Sequence, residues 1–492
     1  MTESAAGSLL LDLPARHLLH ELRTRRARAV DLLESALQRA EQLEDRVGCV
    51  VATDLPRARA AALAADAALD RLAREGRGEG LAGAPLLGLP LTVKDAFDVQ
   101  GLPTVMGAPW MRGNVAARDA ALVARVRAAG AVVWGKTRTP LLSYDWQTRS
   151  LGRTCRNPWD AARGVGGSSG GSAAALAAGI TPLELGSDVG GSIRVPAHAC
   201  GVVGLRPTEG WLPTAGHARV PGMGPLRSLT VVGPLARSVD DLELLLAVLA
   251  AQPEPPGPAP RPERLRLGWS AQWGQPAPSR AVRTALALLL ERLRAAGVQV
   301  EERPLEPALD ADEAWRLWGL IHGHEVRGAQ PWPLRAPLLG DLGVWLAYRL
   351  RFGPGAMTSG VARGWRSGAR AYLAARARRE ELARAFEERI AGLDAWLLPV
   401  WPLTAPPHQP TGAPLTIDGR SVPYADALGA YQCPTVLLGC PALALPAGRA
   451  EDGLPVGVQL LAPRGHDWRL LQVARAVEEA RGPWSGLAPL AV

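Results

Sequence analysis

Apolar and polar positions alternate along the chain in patterns that predict helices and short strands in turn. Helical spacing of apolar residues extends over seven segments: 16–46 (one or two helices), 56–74, 119–129, Ala173–Ala178, Asp240–Ala251, 280–296 and 367–390. Short apolar runs predict five strands: Pro85–Val93, Ala131–Trp134, Ala395–Val400, Thr435–Leu438 and Val456–Leu461. Strands that alternate with helices indicate an α/β fold.

Composition is that of a globular protein with apolar material for a large core. Of the 492 residues, 47% are apolar and 21% are charged. The 54 glycines and 43 prolines stay below the share of roughly 25–30% that is typical of disordered chains. Pro-rich Gln252–Pro262 is predicted to be an exposed connector.

Charge, hydropathy and cysteine content exclude several classes of function. The net charge is +8, but basic and acidic residues are interleaved, which argues against nucleic-acid binding. No apolar run approaches the roughly 18 residues that cross a bilayer, and Met1–Arg16 lacks the basic start of a secretory signal. The five cysteines are few, odd in number and dispersed, which predicts a reduced cytoplasmic location without a disulfide framework or a zinc site.

Lysine is almost absent from this arginine-rich chain. Only Lys94 and Lys136 occur among the 55 basic residues. An ammonium group can lose its proton inside a protein, whereas a guanidinium group cannot. A retained lysine therefore indicates either a base or nucleophile, or a site too tight for arginine.

One motif imitates a phosphate-binding loop. Gly130–Thr137 matches the letters of that loop, but a helix precedes it and its middle residues favour a strand. A pleated strand cannot curl its N–H groups around phosphates. Nucleotide binding is therefore not expected, and Lys136 is predicted to be the polar end of a buried strand.

A second motif imitates the nucleophile elbow of α/β-hydrolases. Gly166–Gly170 fits its letters, yet a turn at Asn157–Asp160 stands where the elbow needs a strand. None of the eight histidines has a persuasive context, and His198 is predicted to pack in the core. A triad based on histidine is therefore not favoured.

Two Gly/Ser-rich segments remain as candidates for chemistry, Gly166–Ser172 and Gly186–Arg194. They could be flexible linkers, but both are embedded in apolar sequence, where glycines usually allow close backbone approach. The run Val189–Ser192 could aim consecutive N–H groups at one point, with a nucleophilic hydroxyl at its end. Because serine needs a base and apolar neighbours would bury Lys94, its neutral amine is the candidate base.

These motifs resemble those of the amidase signature family. The run from Gly166 to Pro207 carries the signature, Gly88–Asp95 resembles the lysine motif, and Asp452–Leu460 resembles the C-terminal strand. The resemblance implies one amidase domain over 1–492, with a signature core at about 80–250 and a less recognisable, substrate-shaping region at about 255–390. It also implies a large, mostly parallel or mixed twisted sheet with helices on both faces.

The resemblance further implies a Ser-cisSer-Lys triad. Ser192 is the expected nucleophile, Ser168 the bridging serine on a cis peptide, and Lys94 the base. The backbone N–H groups of the loop are expected to stabilise the oxyanion: Val189, Gly190, Gly191 and Ser192. Asp188 and Arg194 are expected to tie this loop together. A weaker expectation places a substrate-binding loop at three residues: Tyr144, Asp145 and Trp146.

Two functions follow from the resemblance. The first is a stand-alone amidase that hydrolyses a carboxamide, without cofactor or metal and with a homodimer allowed. The alternative is the glutaminase subunit of a tRNA-dependent amidotransferase. That subunit usually carries Ser-Thr-Glu-Asn and Ser-Ser-Leu-Asp-Gln types of segment, whereas this chain has Tyr144–Gln147 and Ser228–Val232 at those places. Both departures favour the stand-alone amidase.

The 310–370 region is rich in tryptophan, which suggests either an apolar substrate pocket or ordinary core packing. The sequence leaves the two interpretations equal for its five tryptophans: Trp315, Trp318, Trp332, Trp345 and Trp365.

Overall fold

An eleven-stranded mixed sheet forms the centre of the computed structural model, which describes residues 10–75, 83–226, 228–253, 260–330, 346, 349–353 and 355–490. The strand order is β1-β3-β2-β6-β8-β7-β14-β15-β11-β9-β10. These strands are β1 (Val50–Thr53), β2 (Pro90–Lys94), β3 (Val132–Thr137), β6 (Leu183–Asp188), β7 (Val203–Arg206), β8 (Val231–Ala236), β9 (Arg266–Trp269), β10 (Gln299–Glu302), β11 (Ala395–Pro399), β14 (Ala442–Arg449) and β15 (Pro455–Leu461). Two small hairpins pair β4 (Arg149–Ser150) with β5 (Arg153–Thr154) and β12 (Leu415–Ile417) with β13 (Arg420–Val422).

Strand direction changes across the sheet. The pairings β3-β2-β6 and β11-β9-β10 are parallel. The middle of the sheet, from β6 through β8, β7, β14 and β15 to β11, is antiparallel throughout. The α/β class and the mixed sheet are thus confirmed, with parallel pairing confined to the two flanks.

Helices cover the sheet so that its central strands are buried on both faces. Every residue of β2, β3, β6, β7 and β8 is buried, which requires a layer on each side. The helices are α1 (Ala15–Arg23), α2 (Ala29–Gln42), α3 (Leu55–Arg74), α4 (Ala121–Ala128), α5 (Gly170–Ala177), α6 (Arg194–Cys200), α7 (Val239–Ala250), α8 (Arg280–Ala295), α9 (Ala311–Ala329), α10 (Ala356–Arg366), α11 (Ala369–Arg389), α12 (Tyr424–Gly429), α13 (Gln432–Leu437) and α14 (Asp467–Arg481).

Most predicted elements occur within a few residues of their expected positions, but one strand does not. The Thr435–Leu438 run, predicted to be a strand, lies in helix α13 up to Leu437. The Thr435 hydroxyl donates to the carbonyl oxygens of Tyr431 and Gln432, three and four residues earlier. A run of four mostly apolar residues fits a buried helix as well as a strand, so periodicity does not distinguish the two structures here.

For two further predicted segments, the structure supports only part of the predicted range. Only the second half of Pro85–Val93 is strand, because Gly88 has a left-handed φ of 82° and β2 begins at Pro90. Of the connector predicted at Gln252–Pro262, residues 254–259 lie outside the described residues, while Gln252 and Pro253 are exposed. Strands from both sides of this connector join the same sheet.

The described residues hold no helix that is long and apolar enough to traverse a lipid bilayer. They also hold no group of three or more His, Cys, Asp and Glu side chains that could bind a metal. The five cysteines are buried and form no disulfide.

Candidate active site

Lys94 ends strand β2 and projects its amine into a fully buried site. Its Nζ lies 2.8 Å from Ser168 Oγ and 2.9 Å from Ser187 Oγ. Strands β2 and β6 are parallel neighbours, so their carboxyl ends meet at one edge of the sheet and bring Lys94 beside Ser187. The retained lysine therefore contacts two hydroxyl groups.

The two Gly/Ser-rich segments pack against each other at this edge. The peptide between Gly167 and Ser168 is cis. The N–H of Ser169 donates to the carbonyl oxygen of Ser192 over 3.1 Å, which joins the segments next to Ser168. Ser192 is 8% exposed and lines a cavity, whereas Ser168 is 2% exposed and lies outside the cavity lining. The structure thus brings Lys94 and Ser168 into hydrogen-bond contact and holds the Ser192 backbone beside that segment, with no hydrogen bond between the Ser168 and Ser192 hydroxyls among the described residues.

Glycines in the first segment allow the close approach that the sequence predicts. A Cβ on Gly167 would lie 2.4 Å from the carbonyl oxygen of Asp145. One on Gly171 would lie 2.4 Å from the backbone nitrogen of Arg138. Since real Cβ atoms do not approach so closely, this segment is a packed element rather than a linker.

Burial tunes the acidity of the groups around Lys94. Removal from water lowers the pKa of the Lys94 ammonium to about 7, against the opposing effect of the Asp188 and Glu184 carboxylates. Burial also raises the pKa of Glu184 to about 8, although Thr92, Ser172 and Thr137 donate hydrogen bonds to it. The buried Glu184 carboxyl is therefore harder to ionise than a free one, whereas in its ionised form it raises the pKa of Lys94.

Asp188 and Arg194 tie the second segment together, as the resemblance implies. Arg194 Nε and Nη2 lie 3.1 and 3.2 Å from the two oxygens of Asp188, and both side chains are buried. Burial disfavours the charge of Asp188, but the Arg194 guanidinium lowers the pKa of this carboxyl to about 2. Asp188 also accepts hydrogen bonds from the N–H groups of Gly191 and Ile193.

The backbone N–H groups of the loop differ in whether they are free. The N–H of Gly191 donates to Asp188 Oδ1 over 2.8 Å, so its predicted oxyanion role competes with this hydrogen bond. Within the described part of the chain, the N–H groups of Val189, Gly190 and Ser192 have no acceptor. Three backbone donors of the 189–192 loop therefore remain available to a ligand.

A cavity with mostly aromatic and aliphatic walls opens over Ser192. Its volume is about 350 Å³ with its mouth included. Its walls come from the 189–192 loop, the 143–146 loop and the 310–370 region. The lining residues are Ser143, Tyr144, Asp145, Trp146, Val189, Gly190, Ser192, Trp318, Phe352 and Met357.

All three residues of the predicted substrate-binding loop line this cavity. Tyr144 hydrogen-bonds His322 through its hydroxyl over 2.7 Å, and the Trp146 indole N–H donates to the carbonyl oxygen of Gly190. Asp145 is buried and accepts hydrogen bonds from the hydroxyls of Tyr424 and Thr411. The carboxylate is thus already engaged with the protein.

Among the described tryptophans of the 310–370 region, one lines the cavity and two pack in the core. Trp318 lines the cavity, whereas Trp315 and Trp365 are buried outside its lining. Trp332 and Trp345 lie outside the described residues.

Lys136 and His198 have the packing roles that the sequence predicts. Lys136 lies in β3, fully buried, with Nζ 2.8 Å from Asp95 Oδ1. His198 accepts from the N–H of Gly457 through Nδ1, and its Nε2 lies 3.1 Å from the Leu403 carbonyl oxygen. Burial lowers the pKa of His198 to about 4. Neither side chain lines the cavity.

Several contacts of the site have no signal in the sequence. Ser187 lies in the Gly/Ser-rich segment Gly186–Arg194, but its contact with Lys94 depends on the pairing of strands β2 and β6. Phe352 and Met357 lie in the region without recognised motifs, so nothing marked them as cavity residues. Glu184 could have been noticed only as an acidic residue inside an apolar run.

Comparisons with known proteins match nearly the whole chain. The sequence pattern of the family described as Amidase matches residues 31–471. The putative amidase AmiB2 of Mycobacterium tuberculosis is 36% identical over 476 residues, which cover 93% of this chain and 94% of that protein. A glutamyl-tRNA(Gln) amidotransferase subunit from Thermus thermophilus is 34% identical over 507 aligned residues, 96% of this chain and 99% of that protein. A crystal structure of an amidase superposes with a TM-score of 0.76 and 31% identity, covering 95% of this chain and 100% of that one.

Proposed function

The chain belongs to the Amidase family, and we propose that it hydrolyses an uncharged, apolar carboxamide through an acyl-enzyme on Ser192. As a member of this family it is a hydrolase of amide C–N bonds. The observation that carries the proposal is the buried Lys94 amine, 2.8 Å from Ser168 Oγ and with a pKa of about 7. A neutral amine at this place can accept a proton from serine.

The proposed proton path runs from Ser192 through Ser168 to Lys94. Ser168 gives its proton to neutral Lys94 and takes one from Ser192, whose oxygen attacks the amide carbonyl carbon. The proton then returns through Ser168 to the leaving nitrogen, and the C–N bond breaks. Water hydrolyses the resulting ester by the same relay, which releases the acid and restores Ser192.

The oxyanion of the tetrahedral intermediate is proposed to lie against the backbone of residues 189–192, which we call the nucleophile loop. The N–H groups of Val189, Gly190 and Ser192 have no acceptor in the described structure and belong to Ser192 or to the three residues before it. Donors already in place stabilise the developing charge without reorganisation, and each contributes about 10²–10³ in rate in enzymes of this kind. Gly191 has a φ of 100° and holds the turn through Asp188.

The cavity walls support an uncharged acyl group as substrate. Trp146, Trp318, Phe352 and Met357 provide apolar surface, and no Lys or Arg occurs among the lining residues that the structure describes. A charged acyl group would lose its hydration against these walls. Arg351, which adjoins Phe352 in sequence, already lies 3.9 Å from Asp145 Oδ2. An aryl or branched aliphatic acyl group would instead bury its apolar surface.

The glutaminase subunit is the second candidate, supported by the similarity to the Thermus thermophilus protein. Free glutamine carries a carboxylate and an ammonium group that each need a partner of opposite charge. Asp145 is the lining residue with a charge, and its oxygens already accept hydrogen bonds from Tyr424 and Thr411. The cavity therefore favours the stand-alone amidase.

A panel of amides separates these two candidates. We expect phenylacetamide and isobutyramide to be hydrolysed with a larger kcat/KM than acetamide, since about 0.8 kcal/mol is gained for each buried methylene. Glutamine should give no ammonia above background, alone or with lysate. Ammonia release from glutamine, with further subunits co-purifying, would instead establish the glutaminase. Equal rates on acetamide and phenylacetamide would contradict the apolar acyl pocket.

The activity should depend on pH through Lys94. Only the unprotonated amine accepts a proton, and burial lowers the pKa of Lys94 to about 7. We therefore expect kcat/KM to be small below this value, to rise tenfold per pH unit well below it, and to level off above it. A pH profile of kcat/KM from pH 5 to 9 measures this. A flat profile over that range would contradict a lysine base.

Three further expectations belong to this proposal. The whole chain is proposed to act as one amidase domain, with the 255–390 region shaping the cavity. A cytoplasmic location and a homodimer stay predictions, to be measured by fractionation and by light scattering.

A further inference from the structure

Trp318 of helix α9 is hydrogen-bonded to the nucleophile loop, residues 189–192. Its indole N–H donates to the carbonyl oxygen of Val189 over 3.0 Å, between residues 129 positions apart in the sequence. Trp318 is 2% exposed and its ring forms part of the cavity wall. It therefore contacts both the substrate cavity and the loop that precedes Ser192.

The hydrogen bond from Trp318 determines the direction of one free donor. The Val189–Gly190 peptide is trans, so the N–H of Gly190 points away from the carbonyl oxygen that Trp318 holds. That N–H has no acceptor in the described structure. Turning this peptide about its axis would move the N–H of Gly190 by the same angle as the carbonyl.

The next peptide in the loop is held differently. The carbonyl oxygen of Gly190 accepts from the Trp146 indole N–H over 3.1 Å, while the N–H of Gly191 donates to Asp188. Both the carbonyl oxygen and the N–H of this peptide are therefore hydrogen-bonded within the protein, and it offers no free donor. The Val189–Gly190 peptide, held only at its oxygen, keeps a donor for a ligand.

The Trp318 side chain is itself held rigidly. His322 stacks on its face at 4.9 Å between ring centroids, and Trp315 meets its edge at 6.1 Å. Helix α9 packs directly on the backbone of α10, because a Cβ on Gly323 would lie 2.1 Å from the carbonyl oxygen of Val361. A ring fixed in this way can impose its position on the loop.

We propose that Trp318 is a positioning residue for the reaction, which aims the Gly190 N–H at the oxyanion through its hydrogen bond to the Val189 carbonyl. The inference rests on the proposed Ser192 chemistry and adds to it a residue outside the recognised motifs. It also gives the 255–390 region a part in catalysis beyond shaping the cavity.

The test removes the indole N–H and keeps the ring. Benzothienylalanine at position 318 replaces the N–H by sulfur with nearly the same shape, and Trp318→Phe is the genetically simpler variant. We expect kcat for phenylacetamide to fall about 10- to 100-fold, less than the 10²–10³ for a deleted oxyanion donor, because the donor is misdirected rather than lost. With benzothienylalanine, KM should stay within about twofold, because the cavity wall is unchanged. The rate of Ser192 labelling by a fluorophosphonate should fall in parallel.

Trp273→Phe is the matched control. Trp273 is buried, its indole N–H donates to the Leu309 carbonyl oxygen over 2.9 Å, and it lies outside the cavity lining. Its loss should lower Tm without lowering kcat. A benzothienylalanine variant with wild-type kcat and labelling rate would overturn the inference.

The labelling rate keeps this inference separable from the proposed function. If the wild type is labelled but hydrolyses no amide, the proposed function fails while the effect of Trp318 on labelling is still measured. If the wild type is not labelled at Ser192 at all, both fail.

Discussion

Ser192→Ala is expected to reduce amide hydrolysis to background, a loss of about 10⁶-fold in kcat, comparable to removal of the nucleophile from a serine hydrolase. The reason is that the acyl-enzyme needs an oxygen at position 192, and Ser168 is buried and lies outside the cavity lining. Turnover of phenylacetamide and mass spectrometry after treatment with a fluorophosphonate measure the effect. The variant should carry no covalent adduct.

Ser270→Ala is the control for this prediction. Ser270 is also a buried serine, but its hydroxyl donates to the carbonyl oxygen of Gln272 and it lies outside the cavity lining. It should keep both turnover and labelling. A Ser192→Ala protein that is folded and still turns over at the wild-type rate would refute the acyl-enzyme on Ser192.

Lys94→Arg is expected to lower kcat/KM by about 10²- to 10⁴-fold, the usual contribution of a general base. A guanidinium group stays protonated at every pH at which the protein is folded, so it cannot accept the proton of Ser168. Because the larger group must fit a site with no exposure, Lys94→Met provides a second variant of similar length without charge. Both should lose the rise of kcat/KM around pH 7.

Lys136→Arg is the matched control, since it changes the other lysine of the chain, which is buried as well. Lys136 pairs with Asp95 and lies outside the cavity lining. This variant should lower Tm but keep the rise of kcat/KM around pH 7. If Lys94→Met retained that rise, another group would have to be the base.

Much of the proposed catalytic set can be predicted from the local sequence. Lys94 follows a run of buried strand residues, and Ser168 and Ser192 lie in Gly/Ser-rich segments whose glycines permit close packing. These features are encoded by neighbouring residues, because burial, backbone freedom and side-chain chemistry are properties of a few consecutive positions. The same holds for most helices and strands, which follow from the spacing of apolar residues.

Where several conformations suit the same local pattern, the sequence does not predict which conformation the chain adopts. Thr435–Leu438 was predicted to be a strand and is mostly helical, because α13 packs near α9 and the loop before Ser192 rather than joining the sheet. The predicted donor Gly191 is engaged by Asp188, a contact that depends on how the loop turns. In both places the environment, and not the local propensity, selects the outcome.

Residue pattern and chemistry alone predict the α/β class, the two unusual lysines, the signature segments and the residues proposed as the triad. The packing of distant elements establishes which of these groups meet, which described tryptophan of the 310–370 region lines the cavity, and that Trp318 donates a hydrogen bond to the Val189 carbonyl oxygen. The physical reason is distance along the chain. Periodicity and residue chemistry are readable over a few positions, whereas a contact across 129 residues depends on how the intervening helices and strands pack.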